Sequence, residues 1–209
     1  MGKAKMKKII LSAVLCLLAV PALAVVPKEF DTKENRVILD KVEQMLHSIN
    51  TMKSRFSEFT SKDGDFMKHG NFYLSRPNKM RLIYDAPADV EFVADGRYFI
   101  YYDKGFDQIS YLEIEQTPAA ILLKPDFSFD DPEFTVTGIV QDLDEYHISA
   151  VKTKQEELGE LTLIAGIDPV DFRQWELVDA KGIKSTVGLY ETEMNKPVDE
   201  SLFVFKKKD

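Results

Sequence analysis

Three histidines, His47, His69 and His147, are the side chains in this sequence best suited to hold a metal or move a proton, and none is spaced for it. Imidazole ligands usually come as H-x-H or H-x-x-x-H pairs that one local element can present together. Here His47 flanks an apolar stripe, and His69 and His147 stand in alternating segments beside polar residues. Each reads as a surface or half-buried residue. Asp126, Asp130, Asp131 and Glu133 form one acidic cluster, and Asp142, Asp144 and Glu145 another. Neither has the alternating ligands and glycine of a calcium loop, so both read as solvated loops. There is no G-x-S-x-G nucleophile turn and no phosphate-cradling G-x-x-x-x-G-K-[ST] loop. A hydrolase using carboxylates brought together from distant positions is the remaining enzymatic reading, and nothing in the spacing argues for it. No metal and no cofactor is implied.

The apolar residues say more. Phe72 and Leu74 fall on one face of an alternating segment, Met80, Leu82 and Tyr84 on one face of the next, then Val90 and Phe92, then Tyr98, Ile100 and Tyr102. A period of two puts each set on one side of a strand. Together they make an aromatic and Met-containing wall. Residue type alone favours an ordinary core beneath a helix. The alternative is a concave sheet with too little helix to cover it, whose Met and aromatic lining suits apolar ligands of variable shape.

The elements that must position this wall are mostly strands. Positions 34–50 predict a helix, with Ile38, Val42, Met45, Leu46 and Ile49 on one stripe and Asp31 or Thr32 able to cap its start. From Thr51 the period shortens. Strands are predicted near 52–61, 66–75, 79–85, 90–94, 97–103, 107–113, 133–141, 145–152, 160–165, 171–179, 183–193 and 201–206. Turn chemistry such as Asp85-Ala86-Pro87, Asp95-Gly96 and Asp103-Lys104-Gly105 separates them. A second, short helix is predicted with Thr117 as N-cap, Pro118 at its first position and Ala119 to Leu123 continuing it, ended by Lys124-Pro125. The fold class is therefore mainly β (α+β). A meander this long curls rather than staying flat, which gives a curved antiparallel sheet forming an incomplete β-barrel with two or three helices packed in its mouth.

Lys3, Lys5, Lys7 and Lys8 precede an apolar run, Ile9 to Ala24, that ends Pro21-Ala22-Leu23-Ala24. A basic start, a short apolar stretch and an A-x-A ending predict a secretory signal peptide cleaved after Ala24. Residues 25–209 are then a single domain. Cys16, the one cysteine, leaves with the leader, so no disulfide or thiolate remains. The whole chain carries a net charge of −8, and the four lysines of the leader are not balanced by any acid there. The mature chain is more acidic still, which excludes binding to a nucleic-acid backbone by counterion release.

Ser75-Arg76-Pro77-Asn78-Lys79-Met80-Arg81-Leu82-Ile83-Tyr84-Asp85-Ala86-Pro87 resembles the R-P-x-x-x-R-x-x-Y-x-x-P segment of the periplasmic outer-membrane lipoprotein carrier proteins, the LolA family. Other segments agree in order: Phe56-Ser57-Glu58-Phe59-Thr60, with Glu58 where many members have Gln; Gly70-Asn71-Phe72-Tyr73-Leu74; Val93-Ala94-Asp95-Gly96; Tyr101-Tyr102-Asp103; Thr117-Pro118 with Ile121-Leu122-Leu123; and Pro197-Val198-Asp199 with Leu202-Phe203-Val204-Phe205. The resemblance implies a half-barrel with helices as a lid over an apolar cavity, lined by Phe56, Phe72, Leu74, Met80, Leu82, Tyr84, Phe92, Ile100 and Tyr102, with Ile121 and Leu122 from the lid. It makes Arg76 the latch that bonds the lid shut, where residue type alone reads a turn residue paired with a surface acid. It implies a monomeric periplasmic chaperone, not an enzyme, that takes acylated lipoproteins from an inner-membrane ATP-driven transporter to an outer-membrane receptor lipoprotein. A lipoprotein-sensing regulatory or lipid-binding module of the same fold is the alternative.

Overall fold

The switch from helical to alternating periodicity falls where the sequence places it. Helix α1 spans Lys33–Ser48, and the backbone N–H of Asn35 donates to the side chain of its N-cap, Thr32, at 3.1 Å. Leu39, Val42, Met45 and Leu46 are its buried stripe; Leu39 is more deeply set than the expected Ile38, which is only partly buried. The computed structural model describes residues 26–62, 66–118 and 120–207. The expected leader, 1–24, and Ala119 of the expected second helix lie outside them.

Strands follow as β1 Thr51–Thr60, β2 Met67–Ser75, β3 Lys79–Tyr84, β4 Val90–Asp95, β5 Tyr98–Asp103 and β6 Gln108–Glu113. After a connection come β7 Phe134–Asp142, β8 Glu145–Lys152, β9 Gly159–Gly166, β10 Phe172–Asp179 and β11 Lys184–Met194. They form one antiparallel sheet in the order β6-β5-β4-β3-β2-β1-β11-β10-β9-β8-β7. The first and last strands pair at its centre. Its edges are β6 and β7, which do not pair with each other, so the barrel stays open. The connection between those two edges, 114–133, holds a 3-10 turn Ile114–Gln116 and a one-turn helix α2, Ala120–Leu123. Thr117 does not cap forward as expected: its hydroxyl donates back to the Ile114 carbonyl at 2.9 Å and closes the 3-10 turn.

The sheet curls strongly enough for Phe72 of β2 and Trp175 of β10 to meet across its concave side, with ring centroids 5.4 Å apart. That side, α1 and the connection share one core cluster. Each fully buried Leu, Ile or Phe in it contributes about 1.5–3 kcal/mol, without any disulfide.

The strand expected at 201–206 does not form. Glu200–Phe203 is a 3-10 turn begun by Asp199, whose carboxylate accepts from the Ser201 N–H at 2.9 Å. It lies against β3 and β4. Both of those strands are already paired on either side, so no edge is free to take another. Arg81 instead donates to the Leu202 carbonyl at 2.6 Å and to buried Glu91 at 3.0 Å. Phe203 is buried there, on the convex side of the sheet, and Phe205 packs edge-on to Tyr102 at 5.5 Å.

Candidate functional site

Register decides which side chains reach the concave side. Residues directly opposite in an antiparallel pair share a face. One row runs Phe56, Gly70, Tyr84 and the next Ser54, Phe72, Leu82, Phe92, Tyr101. A third runs Met52, Leu74, Met80, Ala94, Phe99. Gly70 is required where it stands: a Cβ there would lie 2.5 Å from the Phe56 ring. That ring meets Tyr84 edge-on, with centroids 5.0 Å apart.

A cavity of about 180 Å³ remains between this wall and the connection that crosses it. Of the expected lining residues, Met80, Leu82, Tyr84, Phe92 and Leu122 border it. Phe56, Phe72, Leu74 and Ile121 are buried in the same core, packed around the wall rather than on the cavity surface. Ile100 and Tyr102 are corrected. They pair with Val93 and Glu91, not with Ala94 and Phe92, so they face the convex side under the C-terminal turn. The residues of β5 on the concave side are Phe99 and Tyr101. In the run Tyr98-Phe99-Ile100-Tyr101-Tyr102 both faces are apolar, so alternation could not choose between them. The other half of the wall was not expected: Val187, Trp175, Leu161 and Leu177 line the cavity from β9 to β11. Its signal was the Trp175 and Leu177 alternation. A larger depression of about 600 Å³ beside Phe66, Met67 and Pro87 takes no residue from this wall.

Arg76 sits in the β2–β3 turn beneath the ends of both helices. Its Nε and Nη2 donate to the Leu122 carbonyl at 3.0 and 2.8 Å, and its Nη1 donates to the carbonyls of Leu46 and, at 3.3 Å, Ile49. These are carbonyls at helix C-terminal ends, which carry partial negative charge; that of Leu46 also accepts from the Ile49 N–H at 3.1 Å. The planar fork of five donors lets one side chain bridge both helices. Burial pushes the guanidinium pKa down to about 10. The surface-acid pairing that residue type suggested is not the arrangement found.

Lys152 and Glu43, not singled out in the sequence, hold the rest of the connection together with His47. Buried Lys152 of β8 donates to the Glu115 carbonyl. Glu43 of α1 accepts from the hydroxyl of Ser128 at 3.0 Å and from the backbone N–H of Phe129, and His47 Nε2 lies 2.7 Å from the Phe127 carbonyl oxygen. The acidic clusters are tied down rather than merely solvated: Asp130 bonds Arg36 at 2.7 Å, Asp131 bonds Lys124 at 2.5 Å, and Asp144 bonds Arg173 at 2.9 Å. Phe127, Phe129 and Phe134 are fully buried among them and pack edge-on. Among the described residues no group of three or more His, Cys, Asp or Glu is placed to hold a metal ion.

What this arrangement can do follows from its size. Pockets that enclose drug-sized ligands measure about 300–1,000 Å³, so the cavity as it stands is too small for long chains. A larger apolar ligand would fit only with the connection displaced from the wall, and displacing α2 would break the Arg76 bonds to the Leu122 carbonyl.

Residues 47–206 match the family described as outer membrane lipoprotein carrier protein LolA. An outer-membrane lipoprotein carrier protein of Albidiferax ferrireducens is 25% identical over 185 residues, covering 80% of this chain and 86% of the relative. One from Nitrosomonas europaea is 27% identical over 204 residues, covering 91% and 89%. In structure the chain is similar to a DUF1329 family protein from Desulfovibrio piger, with a TM-score of 0.50, 11% identity, and 81% and 96% of the two chains covered.

Proposed function

The chain belongs to the LolA family of outer membrane lipoprotein carrier proteins, and from that premise we propose that it is a periplasmic chaperone that shields the acyl chains of lipoproteins on their way to the outer membrane. Acyl chains hold a lipoprotein in a membrane by about 0.8 kcal/mol per buried CH₂. A carrier must recover most of that in an apolar cavity, and must close when empty so as not to expose a large apolar patch. The observation that carries this reading is the closed lid. One half-buried guanidinium, bonded among the described residues to carbonyls at the ends of the two helices, holds the connection over an apolar cavity too small for its ligand. Met80, Leu82, Tyr84, Phe92 and Leu122, with Phe56, Phe72, Leu74 and Ile121 behind them, meet the chains when the lid lifts.

The chain is loaded by an inner-membrane ATP-driven transporter and unloads to an outer-membrane receptor lipoprotein. It acts as a monomer beginning at Val25, performs no catalysis and needs no cofactor. Crosslinking in the periplasm followed by pull-down tests the carrier role: acylated lipoproteins are expected. Recovery of an inner-membrane regulator alone supports a sensor in its place, and recovery of neither refutes both. Intact mass of the periplasmic protein tests the start at Val25; a retained, acylated Cys16 refutes it.

A further inference from the structure

The lidded cavity does not fill the concave side. Along β3 it runs from Tyr84 to Met80, but along β10 it stops at Trp175, and along β11 at Val187, directly opposite Trp175. Phe172 and Leu189 come next on the same face; they belong to the core or pack against it and do not border the cavity. Nor does any residue of α1, although its apolar stripe is buried in that core. Aromatic rings stand where the cavity ends. Phe72 reaches from β2 over β1 and β11 to Trp175 on β10, with centroids 5.4 Å apart. Phe172 stacks on the same indole at 6.0 Å, with 15° between the planes. Trp175 borders the cavity and Phe72 lies behind it.

We propose that the Phe72–Trp175 bridge is a chain-length stop: it sets how far an acyl chain penetrates, and so selects ligands by the length of their chains. The proposal rests on the lipoprotein-carrier reading and specifies what that site accepts. Two parts of the cavity boundary differ in what moves them. Leu122 lies on the lid, and freeing it breaks its bonds to Arg76 while the sheet stays intact. Phe72 and Trp175 stand on strands that are paired on both sides, so their backbones part only if the sheet uncurls. Their side chains have no room to swing. Phe72 is 1% and Trp175 7% exposed, and a closely packed interior holds few voids into which a ring can turn. An entering chain therefore displaces α2 and ends at the rings, leaving the space under α1 closed to it. Each CH₂ buried before that point raises affinity about fourfold. Each one beyond it stays in water and adds nothing.

A peptide acylated with a single saturated chain, lengthened two carbons at a time, tests this on the mature protein. Wild-type affinity should rise about fourfold per carbon to a limiting length and then level off. In Trp175→Leu, and separately in Phe72→Leu, the limit should move to longer chains. Phe203→Ala, on the convex side, should lower stability and leave the limit where it is. Trp175 is the one tryptophan of the chain, so wild type supplies a readout that needs no variant to fold. At the limiting length, bromine on the terminal carbon should quench its emission more than bromine at mid-chain. Four results overturn the stop and leave the carrier reading standing. They are a wild-type affinity that climbs steadily to the longest chain, a limit unmoved in whichever bridge variant folds, a limit moved as far by Phe203→Ala, and stronger quenching from mid-chain bromine. Failure of wild type to bind any of the acylated peptides overturns the carrier reading and the stop with it.

Discussion

Replacing Arg76 by Leu should make this protein a tighter binder and a worse carrier. The side chain bonds three carbonyls, those of Leu122, Leu46 and Ile49. At about 1.5–3 kcal/mol for each hydrogen bond to a charged group, the gain is several kcal/mol. Against it stands burial, which pushes the guanidinium down to about 10, a penalty on its charged form of roughly 3 kcal/mol. The surplus stabilising the closed lid is then about 1.5–6 kcal/mol, and ligand affinity falls by whatever the closed state gains. Arg76→Leu should therefore bind an acylated probe at least about tenfold more tightly, mainly through slower release. Transfer to outer-membrane vesicles carrying the receptor should slow in proportion. Arg76→Lys should resemble the Leu variant, because one ammonium cannot reach both helices in the fork geometry. The sign of the pH effect is also fixed. A base whose folded pKa is lowered costs stability while charged, and the cost is relieved only as pH rises through about 10. The latch should thus act unchanged between about pH 5 and 9. Poor loading with normal release, or lost thermal stability with unchanged transfer, would refute the latch and leave Arg76 a cap on two helix ends.

Leu82→Gln puts an unpaired amide on the cavity surface, and probe affinity should fall by the equivalent of about 1–3 kcal/mol, with circular dichroism unchanged. Lys152→Met frees the Glu115 carbonyl; amide hydrogen exchange over 114–118 should rise about tenfold, while the Arg76 side of the lid keeps its protection. Phe203→Ala empties a buried site on the convex side, costing about 3–5 kcal/mol. The Tm should drop by roughly 10 °C with probe affinity unaltered, since the cavity lies on the other side of the sheet. Lys79, and then Ser75, hold the Glu200 carboxyl below its usual pKa. That contribution is present above the ordinary carboxylate value and is lost as pH falls through the lowered one. Proteolysis of the C-terminal turn should accelerate below about pH 4, and Glu200→Gln should abolish the difference between pH 6 and pH 3.

What was legible in the sequence followed the clarity of alternation. Met80, Leu82 and Tyr84 alternate with Lys79, Arg81 and Ile83, and the structure puts all three on the cavity. Tyr98 to Tyr102 do not alternate, so β5 was set one residue out of phase, and a one-residue error turns every side chain to the other face. The strand expected near Phe203 failed for a different reason. Its composition suits a strand, but pairing also needs a free edge, and sheet order cannot be read from local pattern. Lys152 and Glu43 were invisible because their partners, Glu115 and Phe129, are distant in sequence, and a buried lysine looks like any other lysine in a charged strand end. The acidic stretch 126–133 concealed Phe127 and Phe129, whose burial matters more to the loop than its charges do.

In the proposed carrier the polar bonds of the lid would control a balance that its apolar contacts cannot. Ile121, Leu122 and Leu123 are buried against the wall when the cavity is closed. An entering acyl chain covers the same wall with the same kind of surface, so the exchange of side chain for chain is nearly neutral in apolar area buried. Nor does opening tax the sheet. The barrel has a seam between β6 and β7, and the connection across it is the lid itself, so the lid can lift without breaking a ladder hydrogen bond. Its two ends are held differently. The stretch 127–134 is anchored by three buried phenylalanines and by Glu43, whereas 114–123 is clasped by two cations, Lys152 on Glu115 and Arg76 on Leu122. With apolar burial nearly cancelling and the sheet intact, those bonds and the one from the Asn78 N–H to the Leu123 carbonyl at 3.2 Å would set the difference between the open and closed lid of the proposed carrier. A change of about 1.4 kcal/mol in them moves the open-to-closed ratio tenfold, which is the scale on which a carrier must be biased to take up a ligand at one membrane and surrender it at the other.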